Sequence, residues 1–168
     1  MQPTTPDAIL ALFKSTQLDQ VTDPAVRTLL FNRKLEAIEG RLLELGWKDL
    51  PATHHFADGV YFREGVIPKG SLILGHAHRH EELTVFFSGK LLLCVDGQTK
   101  LVVGPKVVKT APGVRKVGYV VEDVRGGNIF PNPDNLTDVK LLEDRVFAKS
   151  ETYKAWEAKQ LHEAQAQA

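Results

Sequence analysis

Cysteine is nearly missing from this chain of 168 residues: Cys94 stands alone, so no internal disulfide can form. A lone cysteine suits a reducing compartment, and within an apolar run Cys94 reads as a buried strand residue, not a nucleophile. Net charge is missing too. Lys+Arg and Asp+Glu both number 21, which argues against broad nucleic-acid binding, since that needs a basic surface. No apolar run approaches the length needed to cross a bilayer, so no membrane partner is expected. Residues 1–10 lack the basic start and long apolar stretch of a signal peptide. No internal repeat stands out, and no Walker, Rossmann, CxxC or Ser-His-Asp pattern rises above chance.

What is present fits one modest domain. Hydrophobic residues make up 43% and charged residues 25%, ordinary values for a globule of a length that can bury a real core. Residues 1–46 read as helical. Pro6-Asp7 opens a short apolar helix over 8–14, and Asp23-Pro24 starts a longer one, with a capping carboxylate before a first-turn proline. That helix should run to Leu45, with Gly46 as its cap. Phe31, Leu35, Ile38, Leu42 and Leu45 form one apolar stripe, and Glu36, Glu39, Arg41 and Glu44 lie off it. The stripe packs on the rest of the chain or on another subunit.

Residues 58–148 read as short strands over 60–63, 71–74, 83–87, 90–95, 100–103, 107–108, 117–121 and 139–142. Turn signals separate them, among them Ser88-Gly89, Asp96-Gly97, Pro112-Gly113 and Gly126-Gly127, and Asp96-Gly97 is the best hairpin turn. Such spacing implies a β-sandwich or barrel. Residues 149–168 begin with an N-cap at Ser150, and a helix carrying Trp156 and Leu161 follows. The expected organisation is an N-terminal helical extension (1–57), a β-barrel (58–148) and a C-terminal helix or tail (149–168).

The chemistry concentrates in residues 70–89. His76, His78 and His80 alternate, Glu81 and Glu82 follow, and Gly70 and Gly89 bound the stretch. Imidazole and carboxylate together suit a borderline divalent ion such as Fe, Mn, Ni or Zn. On a strand, residues two apart share a side, so His76 and His78 can aim at one point. His80 has the same parity and is the candidate fourth ligand. Strand parity decides between Glu81 and Glu82. His54 and His55 read as surface or hinge residues, and His162 as solvated.

Glycine, five residues, His-x-His, three residues, Glu, six residues and Gly resembles the first motif of the cupin superfamily, with Gly70, His76, His78, Glu82 and Gly89 in its slots. The resemblance covers residues 58 to about 148. It implies a mainly β, single-domain jelly-roll barrel with N-terminal helices and a short C-terminal helix. It also implies one divalent transition metal (Fe, Mn, Ni or Zn) on His76, His78 and Glu82. The second cupin motif departs: Arg115 and Lys116 stand where its histidine belongs, and no histidine occurs between His80 and His162. That segment looks more like small bacteriophage-encoded cupins, although this chain has Ile129-Phe130 and Glu82 where that subgroup tends to carry histidine. Localisation in a bacterial host's cytoplasm or in a virion follows from that likeness.

Three function classes stay open. One is a mononuclear metal-dependent enzyme of oxygenase, isomerase or lyase type using two His and one Glu, with Tyr119, His80 and Glu81 the nameable acid-base candidates. Another is a non-catalytic cupin binding a small molecule, with Arg115, Lys116 and Tyr119 as substrate-binding candidates at the barrel mouth. The third is a structural or accessory protein of phage type, partnered with other phage structural proteins. We favour the second and third, with self-association into a homo-oligomer.

Overall fold

The computed structural model describes residues 16–46 and 50–166; the helix expected over 8–14 lies outside them. Among the described residues two helices come first, α1 (Thr16–Asp19) and α2 (Pro24–Glu44). Asp23 caps α2 by accepting from the amides of Ala25 and Val26, so the first turn's orphan donors are satisfied as its position before proline implies. Gly46 closes the helix at φ 82°, a left-handed angle that glycine adopts without a Cβ clash.

Nine strands follow: β1 (Ala52–Ala57), β2 (Gly59–Ile67), β3 (Leu72–Leu74), β4 (Ala77–His78), β5 (Glu82–Val95), β6 (Gln98–Val103), β7 (Lys106–Thr110), β8 (Val117–Asn132) and β9 (Phe147–Ala148). Helices α3 (Val139–Val146) and α4 (Glu151–Ala166) complete the order. Seven strands form one antiparallel sheet around two long, bent members, β5 and β8. The first half of β5 pairs with β7 and the second half with β6. Likewise β8 pairs first with β3 and then with β2, which carries β1 on its far edge. Each long strand therefore serves two layers. Phe86 and Leu91 of β5, Val120 and Val124 of β8 and Val102 of β6 pack as one interior cluster with Ile67, Ile73 and Val108. The result is the mainly β, jelly-roll type of barrel expected from the sequence, with helices at both ends.

Three local readings change. Ser88-Gly89 and Gly126-Gly127 lie within strands β5 and β8 and are not turns between strands. The register of β5 slips around Ser88 and Lys90, and Gly89 sits at φ 93° with the Asp123 carbonyl so near that a Cβ would meet it at 2.1 Å. Residues 139–142 are helical, not extended, because the Asp138 carboxylate accepts from the Leu141 amide and starts α3. Pairing begins at Ala52, before the boundary expected at 58.

Helix α2 lays Phe31 and Leu35 on Leu74, Cys94 and Val117, outside the second layer. Each such side chain taken from water contributes about 2 kcal/mol. Beyond Leu35 the buried face rotates off the expected stripe: Glu39 and Leu43 are buried, Ile38 and Leu42 are half-buried, and Leu45 is exposed. A second cluster of Tyr61, Phe130, Leu142, Val146 and Phe147 joins α3 and β9 to the barrel. Among the described residues, no helix is long and apolar enough to cross a membrane.

Candidate functional site

Strand β4 holds the histidine pair. It is only two residues long and pairs with β9, His78 lying opposite Phe147. The Arg79 amide donates to the Val146 carbonyl, the Gly113 amide to the His78 carbonyl and the Gly75 amide to the Lys116 carbonyl. The histidine segment is thus tied to the α3–β9 corner on one side and to residues 113–116 on the other. His76 and His78 both line a cavity of about 850 Å3, as their shared parity implies. The His76 ring meets Tyr153 edge-on at 4.4 Å between centroids, and Phe147 packs against both histidines.

Glu82 opens β5 and points inward, whereas Glu81 is exposed and pairs with Lys109 at 3.0 Å. The Glu82 side chain is fully buried. Its Oε1 accepts from Thr84 Oγ1 at 2.9 Å and from Lys116 Nζ at 2.9 Å, and its Oε2 accepts from Asn128 Nδ2 at 2.8 Å. His78 Nδ1 lies 3.0 Å from the same Oε1, though bent away from the line of a well-aligned N–H···O bond. Lys116 Nζ and Asn128 Nδ2 both donate to Thr84 Oγ1 as well, at 2.9 and 3.1 Å. Burial alone would push the Glu82 carboxyl up, but the His78 contact, the Lys116 charge and the Asn128 bond outweigh it and hold it well below the usual carboxylate range. Burial draws the Lys116 ammonium below the usual lysine range, with Glu82 opposing.

The four candidate metal ligands do not assemble. His80 is exposed in the bend after β4 and does not line the cavity. Glu82 lies behind Thr84, Lys116 and Asn128, which line it instead. Among the described residues, no three His, Cys, Asp or Glu side chains form a group that could hold an ion. The cation against Glu82 is an ammonium of the chain itself. The divalent ion implied by the motif does not fit this arrangement.

The two basic neighbours of the second motif part company. Arg115 was expected at the ligand, but it is 4% exposed and faces α2. Its NH2 donates to Glu39 Oε1 at 2.7 Å and its Nε to the Gly75 carbonyl at 2.9 Å. Glu39 also accepts from Ser150 Oγ, so this pair joins α2, the histidine segment and the start of α4. That inward charge explains the rotated face of α2. Lys116 and Tyr119 do line the cavity. Thr84 and Asn128 were missed. Thr84 was read only as a strand residue, and Asn128 follows Gly126-Gly127, which read as a turn. Its one signal was its parity with Phe130.

The cavity walls are mostly apolar, with Leu72, Leu74, Phe86 and Leu93 among them. Its lysine and arginine side chains are each paired: Arg63 with Glu143 at 3.2 Å, Lys116 with Glu82 at 2.9 Å and Lys149 with Glu157 at 2.9 Å.

No family model matches the chain, and no curated protein matches it. Solved structures do. A cupin 2 conserved barrel domain protein from Salinispora arenicola is 20% identical, with 51% of this chain and 77% of that one covered and a TM-score of 0.43. A cupin-2 domain containing protein from Shewanella frigidimarina is 12% identical over 56% and 92% of the two chains, with a TM-score of 0.43. An RmlC-like cupin family protein with a double-stranded β-helix fold from Methanocaldococcus jannaschii is 13% identical over 52% and 86%, with a TM-score of 0.41.

Proposed function

We propose that this chain is a cupin-type binding protein whose cavity takes an uncharged small molecule with an apolar body and a carbonyl or hydroxyl oxygen. The observation that carries this reading is the position of Lys116. An ammonium has three N–H donors. Glu82 and Thr84 take two of them, and the third has no partner among the described residues while the side chain faces a cavity of about 850 Å3. A ligand oxygen placed there would accept from a fixed, charge-assisted donor in surroundings that weaken it little.

The choice of an uncharged ligand follows from the paired cations. Each lysine or arginine of the wall already has its carboxylate, so an incoming anion would meet a nearly neutral surface and lose its hydration. Apolar walls supply the affinity and a few placed polar groups fix orientation, the usual division in small-molecule sites. His76, His78 and Tyr119 offer further polar contacts along the wall.

The test is a thermal-shift comparison of cyclohexanone, methylcyclohexane and cyclohexanecarboxylate on the wild type and on Lys116→Met. The ketone should raise the melting temperature most, and its advantage should vanish in the variant. Equal shifts from all three, or an undiminished ketone effect in the variant, would defeat the reading.

A second reading concerns assembly. The outward row Leu83, Phe87 and Val107 is exposed on the first layer, beside Phe62 and Ile129, which pair across it. Contiguous apolar surface of this kind marks interaction sites. It supports self-association, and an accessory role of the phage type would use the same face. Sedimentation of Phe87→Glu beside the wild type tests it: an unchanged size in both would remove it.

A further inference from the structure

We propose that Lys116 is the resident cation of this barrel: its ammonium occupies the place beside Glu82 and His78 that a divalent ion would need, and removing the side chain creates a metal site. This inference rests on the polar cluster alone and not on any ligand of the cavity.

The geometry is that of a shared edge. His78 Nδ1 and Glu82 Oε1 stand 3.0 Å apart. Two donors bound to one ion at about 2.1 Å, at the right angle of an octahedral site, lie about 3.0 Å apart, so these two atoms have the spacing of adjacent octahedral ligands, while a tetrahedral site needs about 3.4 Å. Lys116 Nζ sits 2.9 Å from the same Oε1. Oε1 also accepts from Thr84, which leaves it more neighbours than its two lone pairs serve. An ion can reach this oxygen only if the ammonium leaves. With both present, two positive centres would crowd one carboxylate in a buried site, where like charges repel strongly.

The cluster also explains the departure in the second motif. Lys116 begins beside the histidine segment, its carbonyl accepting from the Gly75 amide, and its side chain reaches Glu82 across the cavity floor. It delivers its charge covalently, so the site needs no loading step. His76 lines the same cavity.

The test is titration of Zn2+ and Mn2+ into metal-free protein without a histidine tag, read by calorimetry and by elemental analysis after dialysis. Only the uptake abolished by His78→Ala is scored. The wild type should show none. Lys116→Ala should take up about one ion per chain, lost again in Lys116→Ala/His78→Ala, and its melting temperature should rise with the ion. If Lys116→Ala does not fold, Lys116→Ser serves the same purpose. A wild type that holds an ion lost in His78→Ala overturns the proposal, as does a folded lysine variant that gains none.

Discussion

Lys116 Nζ and Glu82 Oε1 meet at 2.9 Å beside the cavity, the carboxylate fully buried and the lysine side chain 18% exposed. Pairs of this kind gain little over an apolar substitute, but removing one partner strands the other. Glu82→Gln should therefore cost about 3 kcal/mol in denaturant unfolding. Lys116→Met should also destabilise, and the double variant should lose less than the sum of the two. Additive losses would mean that the pair is not coupled.

Acid should probe the same carboxylate. Glu82 has a depressed native pKa, so its stabilisation is complete above the usual carboxylate range and lost as pH falls through that range towards the native value. Wild-type stability should drop on acidification, and Glu82→Gln should follow a flatter curve over that span. Parallel curves would show that Glu82 does not carry this dependence.

Arg115 and Lys116 are neighbours in sequence with separate tasks. Arg115→Met leaves Glu39 buried without its guanidinium and should cost about 3–5 kcal/mol. It should leave the ketone-specific thermal shift intact, which Lys116→Met abolishes. Loss of that shift in Arg115→Met at temperatures where the variant is folded would return Arg115 to the ligand.

Glycine positions separate bend from turn. A Cβ at Gly89 would stand 2.1 Å from the Asp123 carbonyl, whereas one at Gly113 meets nothing within 4 Å although both have positive φ. Gly113→Ala should cost about 1 kcal/mol, the backbone penalty alone. Gly89→Ala should cost several times more or fail to fold. Equal costs in thermal melts would mean that β5 does not bend tightly against β8.

Much of this was legible in the chain because it rests on local rules. The alternation of His76 and His78 placed both on one cavity, Asp23-Pro24 set the start of α2, and Asp96-Gly97 made the β5–β6 turn, with positive φ at both residues. What stayed hidden depends on contacts distant in sequence. Glycine marks a turn and an in-strand bend alike, so β5 and β8 each read as broken. Glu39 read only as lying off the apolar stripe because its partner is 76 positions away. Arg115 and Lys116 stand side by side just before β8, one turned to Glu39 on α2 and the other to Glu82 and the cavity, and nothing local says which neighbour takes which side. The aliphatic run at 139–142 reads as a strand until Asp138 is recognised as its cap.

The central claim is that a cavity ligand docks on the Lys116 ammonium, and NMR of uniformly 15N-labelled protein, read at the lysine ammonium and backbone amide signals, tests it most directly. The Lys116 signal, assigned by its loss in Lys116→Met, should shift as cyclohexanone is added and hold still with methylcyclohexane. If it stays fixed while backbone signals of Leu72 and Leu74 move with the ketone, the ligand sits in the cavity without using the lysine, and the account is contradicted.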